Sequence, residues 1–336
     1  MTQPPPAAQI MQMLSGYWLT QGLYVAAKLE LADRLASGPR HADELAAETG
    51  CQPRALYRLL RSLASLGVFT EIEPRTFALT PLAECLRRDV PGSQWAAAIM
   101  SGEHQYGAFG ELIHSVRTGE SAYTKVEGKP LFDHLAENPE KAAVFDMAMT
   151  GIHGRESPAM IAAYDFSQFN VLVDVGGGNG TLLTAILTAC PSLHGVLFDL
   201  PNVAERAAAN LRDAGLADRC KTVGGSFFES LPGDGDAYLF RHIIHDWDDE
   251  QSIRILRNCH EAMPAHARLL VVESVIPAGN QPHFAKLLDL AMLALPGGIE
   301  RTEDEYRELF ETCGFHLSRI VPTTADVSII EGVKQP

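Results

Sequence analysis

His245-Asp246-Trp247 is the stretch of this 336-residue sequence best equipped to move a proton. An imidazole has a pKa near ~6.5 and a phenolic hydroxyl one near ~10, so bare transfer between them is uphill by roughly 5 kcal/mol. A histidine acting on such a hydroxyl therefore needs partners that orient the ring and stabilise the imidazolium. Three carboxylates are candidates: Asp246 itself, Glu273 after a predicted strand, and Glu300 after Pro296-Gly297-Gly298. His104, His153, His242 and His260 lack such company in the sequence and read as structural.

The second constellation is Val171-Leu-Val-Asp-Val-Gly-Gly-Gly-Asn-Gly-Thr181, read as strand, glycine loop and helix. Glycines at 176, 177, 178 and 180 let backbone approach a ligand closely, with helix N–H groups expected to face it. The dinucleotide pattern Gly-x-Gly-x-x-Gly fails, because its last position is Thr181. What fits is Gly176-x-Gly178-x-Gly180 preceded by Asp174. This resembles the first motif of class I S-adenosylmethionine-dependent methyltransferases, and the resemblance implies a ligand with an amino-acid carboxylate and an adenosine. About 20 residues on, Asp199 ends the second predicted strand, where a carboxylate can accept both hydroxyls of a ribose; the alternative is a helix cap, a role open to Asn202 instead. Ser226 and Phe227 are read as ending the third strand, facing adenine. Arg241 follows the fourth strand and can pair with a carboxylate of the ligand or form an ordinary salt bridge.

The elements that must hold these residues follow from periodicity. From residue 171 strands and helices alternate, which predicts an α/β, Rossmann-like doubly wound parallel sheet with an antiparallel strand at the end. Ligands of such sheets bind beyond the carboxyl ends of the strands, where the polar residues above lie. Earlier in the chain, His41–Gly50 and a helix opened by Pro53, followed by a hairpin, form a winged-helix pattern. Arg54, Arg58 and Arg61 share a face of that second helix. The net charge of −15 and the lack of a basic wing argue against nucleic acid and anionic membranes as partners. Residues 10–37 are apolar over an unusually broad face that needs burial. Six scattered cysteines without a C-x-x-C pair read as reduced thiols, and the N-terminus lacks a signal-peptide pattern, so a cytoplasmic location is expected. No apolar run reaches the ~20 residues of a membrane span.

Leu172-Val-Asp-Val-Gly-Gly-Gly-Asn-Gly, Phe198-Asp-Leu-Pro, Val223-Gly-Gly-Ser-Phe-Phe, His245-Asp-Trp and Pro296-Gly-Gly-Ile-Glu-Arg-Thr-Glu occur in this order. Together they resemble the plant-type small-molecule O-methyltransferases, the caffeate, hydroxyindole and phenazine group in its bacterial form. The resemblance implies residues 1–100 as a winged-helix dimerisation domain of an intertwined homodimer. Residues 101–336 would be bridging helices and a catalytic domain that binds S-adenosylmethionine. It implies His245 as general base flanked by Glu273 and Glu300. Gly176, Gly178, Asp199, Ser226, Phe227 and Arg241 would serve as cofactor contacts, with serine standing where the family usually has aspartate. Met149, Met292 and Asp246 are expected at the acceptor, a small aromatic hydroxyl compound, and no metal is expected. Some relatives bind the same cofactor yet methylate nitrogen or carbon, or act as hydroxylases or decarboxylases; the His-Asp-Trp stretch favours oxygen. A winged-helix regulator that senses a ligand is the non-enzymatic alternative.

Overall fold

The computed structural model describes residues 4–335. The chain packs as two units, one of Met1–Gly110 with Asp133–Gly154 and one of Glu111–Phe132 with Arg155–Pro336.

In the first unit, helices Ala42–Thr49 and Pro53–Ser65 are joined through Gly50 at φ 67°, a left-handed turn that glycine adopts without strain. Strands Phe69–Glu73 and Thr76–Leu79 form the expected hairpin, and Arg40–His41 adds a third strand to it. Leu56, Leu60 and Leu63, at helical spacing, lie in a core with Leu31, Leu45, Phe69 and Phe77. Arg54, Arg58 and Arg61 are on the exposed side of the same helix. Helix Pro6–Leu14 buries no residue, and Gly16–Lys28 buries only Ala26 and Ala27.

The second unit is built on a seven-stranded sheet: β1 (Val171–Val175), β2 (His194–Asp199), β3 (Cys220–Gly224), β4 (Ala237–Arg241), β5 (Arg268–Glu273), β6 (Phe315–Pro322) and β7 (Ser328–Lys334). Their spatial order is β6-β7-β5-β4-β1-β2-β3. The antiparallel strand is β7, and it lies between β5 and β6 rather than on the edge. β1, β4 and β5 are almost continuous apolar runs because helices cover both faces of the sheet. On one face lie α1 (Thr181–Ala189) and α2 (Pro201–Asp213). On the other lie α3 (Asp249–Ala262) and α5 (Glu303–Thr312). Between α3 and α5 in the chain comes α4 (Phe284–Ala294). No helix among the described residues is long and apolar enough to cross a membrane.

Two local expectations are corrected. β3 ends at Gly224, so Ser226 and Phe227 lie in the loop beyond it, not at the strand's end. Gly224 packs against Pro201, the first residue of α2, closely enough that a Cβ there would overlap it. Asn202 is not a cap, since Pro201 already opens the helix and Leu200 is the N-cap residue without a side-chain bond. The Leu200 N–H is instead bound by Asp199 Oδ1 at 2.7 Å.

Candidate active site

β1 and β4 are neighbours, with Val175 opposite Phe240, so the glycine loop and the turn bearing His245 leave the same edge of the sheet. That turn is a single 3-10 stretch, Ile244–Asp246, closed by α3, whose first turn is capped by Asp248 on the Gln251 N–H at 2.8 Å.

His245 is buried, 6% exposed. Its Nδ1–H donates to Glu300 Oε1 at 2.6 Å, a short charge-assisted bond that fixes the ring and directs Nε2 the other way. Asp246 Oδ1 stands 3.6 Å from Nε2. Glu273 does not touch the ring. Its Oε1 accepts the backbone N–H of His245 at 2.9 Å, and its Oε2 accepts the hydroxyl of Tyr306. Of the two flanking glutamates, then, Glu300 orients the imidazole and Glu273 orients the main chain that carries it. Burial draws the His245 pKa down, but Asp246, the Glu300 bond and Glu273 outweigh it and push the ring up to about 10. Burial holds Asp246 up at about 7 against the pull of His245. Burial likewise raises the Glu273 carboxyl.

The Pro296-Gly297-Gly298 turn is there because main chains cross. A Cβ on Gly298 would overlap the His245 carbonyl oxygen, and the Ile299 N–H donates to that same oxygen at 2.8 Å. The Met292 carbonyl accepts from Gly297 at 2.9 Å and Gly298 at 3.1 Å, so this half-buried methionine in the last turn of α4 ties the helix to the glycine turn. Met149 belongs to the first unit, in helix Pro139–His153, packed with Ala96, Met100 and Ala148.

At the glycine loop, Gly176, Gly178 and Gly180 have φ of 69°, 56° and 80°. A Cβ at Gly176 would overlap Ile243 Cδ1. Five N–H groups of the loop and the helix start are engaged internally. Gly176 and Gly177 donate to Phe198 O, Gly178 to Asp199 Oδ2 at 2.8 Å, Gly180 to Gly177 O, and Thr181 to Asn179 Oδ1. A loop of this kind is a poor pyrophosphate cradle, in agreement with the missing third glycine of the dinucleotide pattern. Asp199 accepts from both Gly178 and Leu200. A carboxylate accepts up to about four hydrogen bonds, so closing the loop and holding a diol are compatible roles. Asp174 Oδ2 is buried with no hydrogen-bond partner. Burial raises this carboxyl to about 7, with Arg241 pulling down and Asp199 pushing up. An orphaned acid below a bare loop and beside an acid suited to ribose fits a ligand with an ammonium and vicinal hydroxyls. S-adenosylmethionine has both.

Arg241 Nη1 lies 3.7 Å from Glu156 Oε2. His242, at φ 53°, brings Nε2 within 3.0 Å of the same oxygen, and its ring centroid is 5.0 Å from that of His245. The sequence reading of His242 as a histidine without acidic company is corrected: its carboxylate is 86 residues away in the chain. Ser226 Oγ accepts the Phe228 N–H at 3.3 Å, which shapes the loop after β3. Phe227 and Phe228 pack on Trp247 at centroid distances of 6.1 and 4.8 Å, with Phe132 on it at 5.7 Å. Trp247 thus joins an aromatic cluster with Phe132, Phe227 and Phe228 directly after His245 and Asp246.

Residues 109–316 match the O-methyltransferase domain family, and residues 11–89 match the O-methyltransferase dimerisation domain. The chain belongs to the O-methyltransferase family. It is 50% identical to the phenazine O-methyltransferase PhzM of Lysobacter antibioticus, over 97% of this chain and 96% of that one. The crystal structure of LaPhzM superposes with a TM-score of 0.94 at 50% identity, covering 98% of this chain and 100% of the other. The neocarzinostatin-biosynthesis O-methyltransferase NcsB1, solved with S-adenosylmethionine and 2-hydroxy-5-methyl naphthoic acid, matches with a TM-score of 0.84. It is 36% identical, over 94% of this chain and 96% of that one. The chain is an S-adenosylmethionine-dependent methyltransferase of class I fold with an N-terminal dimerisation domain.

Proposed function

We propose that this O-methyltransferase acts on a hydroxyl of a flat polycyclic aromatic acceptor, a hydroxyphenazine or a compound of similar shape, with His245 as general base. The observation that carries the reading is the 2.6 Å bond from His245 Nδ1 to Glu300, which leaves Nε2 as the nitrogen able to take a proton. The carboxylates around it supply the missing driving force. A ring raised to about 10 is close to a phenol in pKa, so its neutral form takes a phenolic proton with little uphill cost. Gly176, Gly178 and Asp199 would hold S-adenosylmethionine, with Asp174 below the loop and Arg241, Ser226 and Phe227 as further contacts. When bound, that molecule supplies a methyl group made electrophilic by its sulfonium. The acceptor hydroxyl gives its proton to His245 Nε2, the imidazolium is held by Glu300 and Asp246, and Phe227, Phe228 and Trp247 exclude water from the exchange. These rings meet edge-on or tilted, and a wide, flat acceptor such as a phenazine offers area for further edge-to-face or offset contacts. The match to PhzM supports the same class.

The dimerisation domain supports a homodimer. We infer that it is intertwined, with the bare helices of the first unit covered by a second copy, and that neither nucleic acid nor membrane is a partner. Six free cysteines suit a reducing cytoplasm.

His245→Ala tests the base. The expected outcome is turnover reduced by about 100-fold or more with S-adenosylhomocysteine binding intact by calorimetry. A panel of hydroxyphenazines, hydroxynaphthoates and monocyclic phenols, read by mass spectrometry for one added methyl, tests the acceptor. Near-normal turnover in His245→Ala would end the base assignment.

A further inference from the structure

We propose that Arg301 is a positioning residue, whose buried guanidinium holds the turn bearing His245 and Asp246 in register with Glu300. The proposal rests on the reading of His245 as base.

Arg301 is 1% exposed and is the largest fully buried side chain among the described residues. It begins a two-residue strand, Arg301–Thr302, paired parallel with Val275–Ile276, which follows Glu273. One short pairing thus joins the segment of Glu300 to the segment of Glu273. The guanidinium then reaches across to the third segment. Nη1 donates to Ile244 O at 3.4 Å and Ile299 O at 3.2 Å, and Nη2 donates to Trp247 O at 3.3 Å. Residues 244 and 247 bracket His245 and Asp246, so the fork grips the turn at both ends. Ser252 Oγ accepts from Nη2 at 3.2 Å, and Asp249 Oδ1 accepts from Nη2 at 2.8 Å and Nε at 3.2 Å.

Most of these acceptors are neutral carbonyls, and Asp249 is itself 69% exposed. A buried charge needs its donors satisfied, and here a planar, five-donor group fits a set of oxygens that a lysine ammonium cannot span. Ile244 O also accepts the 3-10 bond from the Trp247 N–H at 3.2 Å, and a carbonyl oxygen has a second lone pair to offer the guanidinium. Arg301 touches neither the imidazole nor its carboxylates; it acts through the placement of the main chain.

The test compares Arg301→Lys, Arg301→Gln, Asp249→Asn and His245→Ala in the full chain, using the best acceptor from the phenol panel. In both Arg301 variants, S-adenosylhomocysteine affinity should stay within about threefold of wild type while kcat falls roughly 10–100-fold with KM little changed. The inflection of the kcat profile should move to lower pH, because Glu300 and Asp246 no longer meet the ring squarely. Loss of a merely nearby positive charge would move it to higher pH. Wild-type kcat and inflection in an Arg301 variant that binds S-adenosylhomocysteine would overturn the proposal. If neither Arg301 variant folds, Asp249→Asn decides, since it loosens the clamp from the exposed side. There, a several-fold fall in kcat with S-adenosylhomocysteine affinity retained supports the proposal, and an unchanged kcat overturns it. An active His245→Ala would instead sink the base reading, independently of the clamp.

Discussion

The pKa of His245 sets how this enzyme should respond to pH. On the reading of His245 as base, it is the neutral imidazole that would take the proton, and a ring raised to about 10 is mostly protonated at neutral pH. For an acceptor that stays protonated, kcat/KM should therefore climb from pH 7 to 9 without levelling near 6.5. Glu300→Gln removes a carboxylate in direct contact with Nδ1. A lost opposite charge lowers a histidine pKa by about 1 unit or more, so the inflection should shift to lower pH. The limiting rate should fall as well, because a weaker base and a less constrained ring remain. Rate profiles of the two proteins on one acceptor check both. An inflection unmoved by the substitution would mean that Asp246 and Glu273 set the pKa without Glu300.

At the scale of elements, two adjacent glycines separate stability from rate. Gly298 is needed for space, because a Cβ would run into the main chain at His245 and Asp246. Gly297 is needed for conformation, at φ 89°, with only Ser121 near its Cβ position, at 3.8 Å. Gly298→Ala should displace the His245 turn and cost roughly 100-fold in kcat, since a shift of about 1 Å at a reacting group has that effect. Gly297→Ala should cost about 1 kcal/mol or more of stability through backbone strain, read as a lower Tm, with a much smaller effect on rate. These two features differ in how far the sequence exposes them. β1 and its loop are legible at once, because a buried parallel strand is an apolar run and positive-φ turns call locally for glycine. His245, just past a strand, and Glu300, after a Pro-Gly-Gly turn, are legible as residues of a known pattern. The bond of Glu273 to a backbone N–H, the Glu156 partner of His242 and the grip of Arg301 are not. Each joins segments far apart in the chain, and periodicity carries no signal for such meetings. For Arg301 the local sequence points the wrong way: Glu303, Asp304 and Glu305 follow it and would suit an ordinary surface pairing.

At the scale of the molecule, the first two helices present an uncovered apolar surface. Met13 is 73% exposed and Trp18 61%, with Ile10, Met11 and Leu14 beside them, in a segment that matches a dimerisation domain. A monomer would leave this face in water, and each large side chain buried there contributes ~1.5–3 kcal/mol. Leu14→Glu with Trp18→Glu should therefore raise the dimer dissociation constant at least ~100-fold, counting only the lost burial at about 1.4 kcal/mol per tenfold. Light scattering after size exclusion should show the mass of one chain at micromolar concentration, where wild type shows two. The helices carrying both positions contain no residue of the proton-transfer group, so any loss of kcat in the monomer would reveal that the second copy completes the acceptor site. Retained kcat would confine the dimer's contribution to stability, and an intact dimer would move the interface away from these helices altogether.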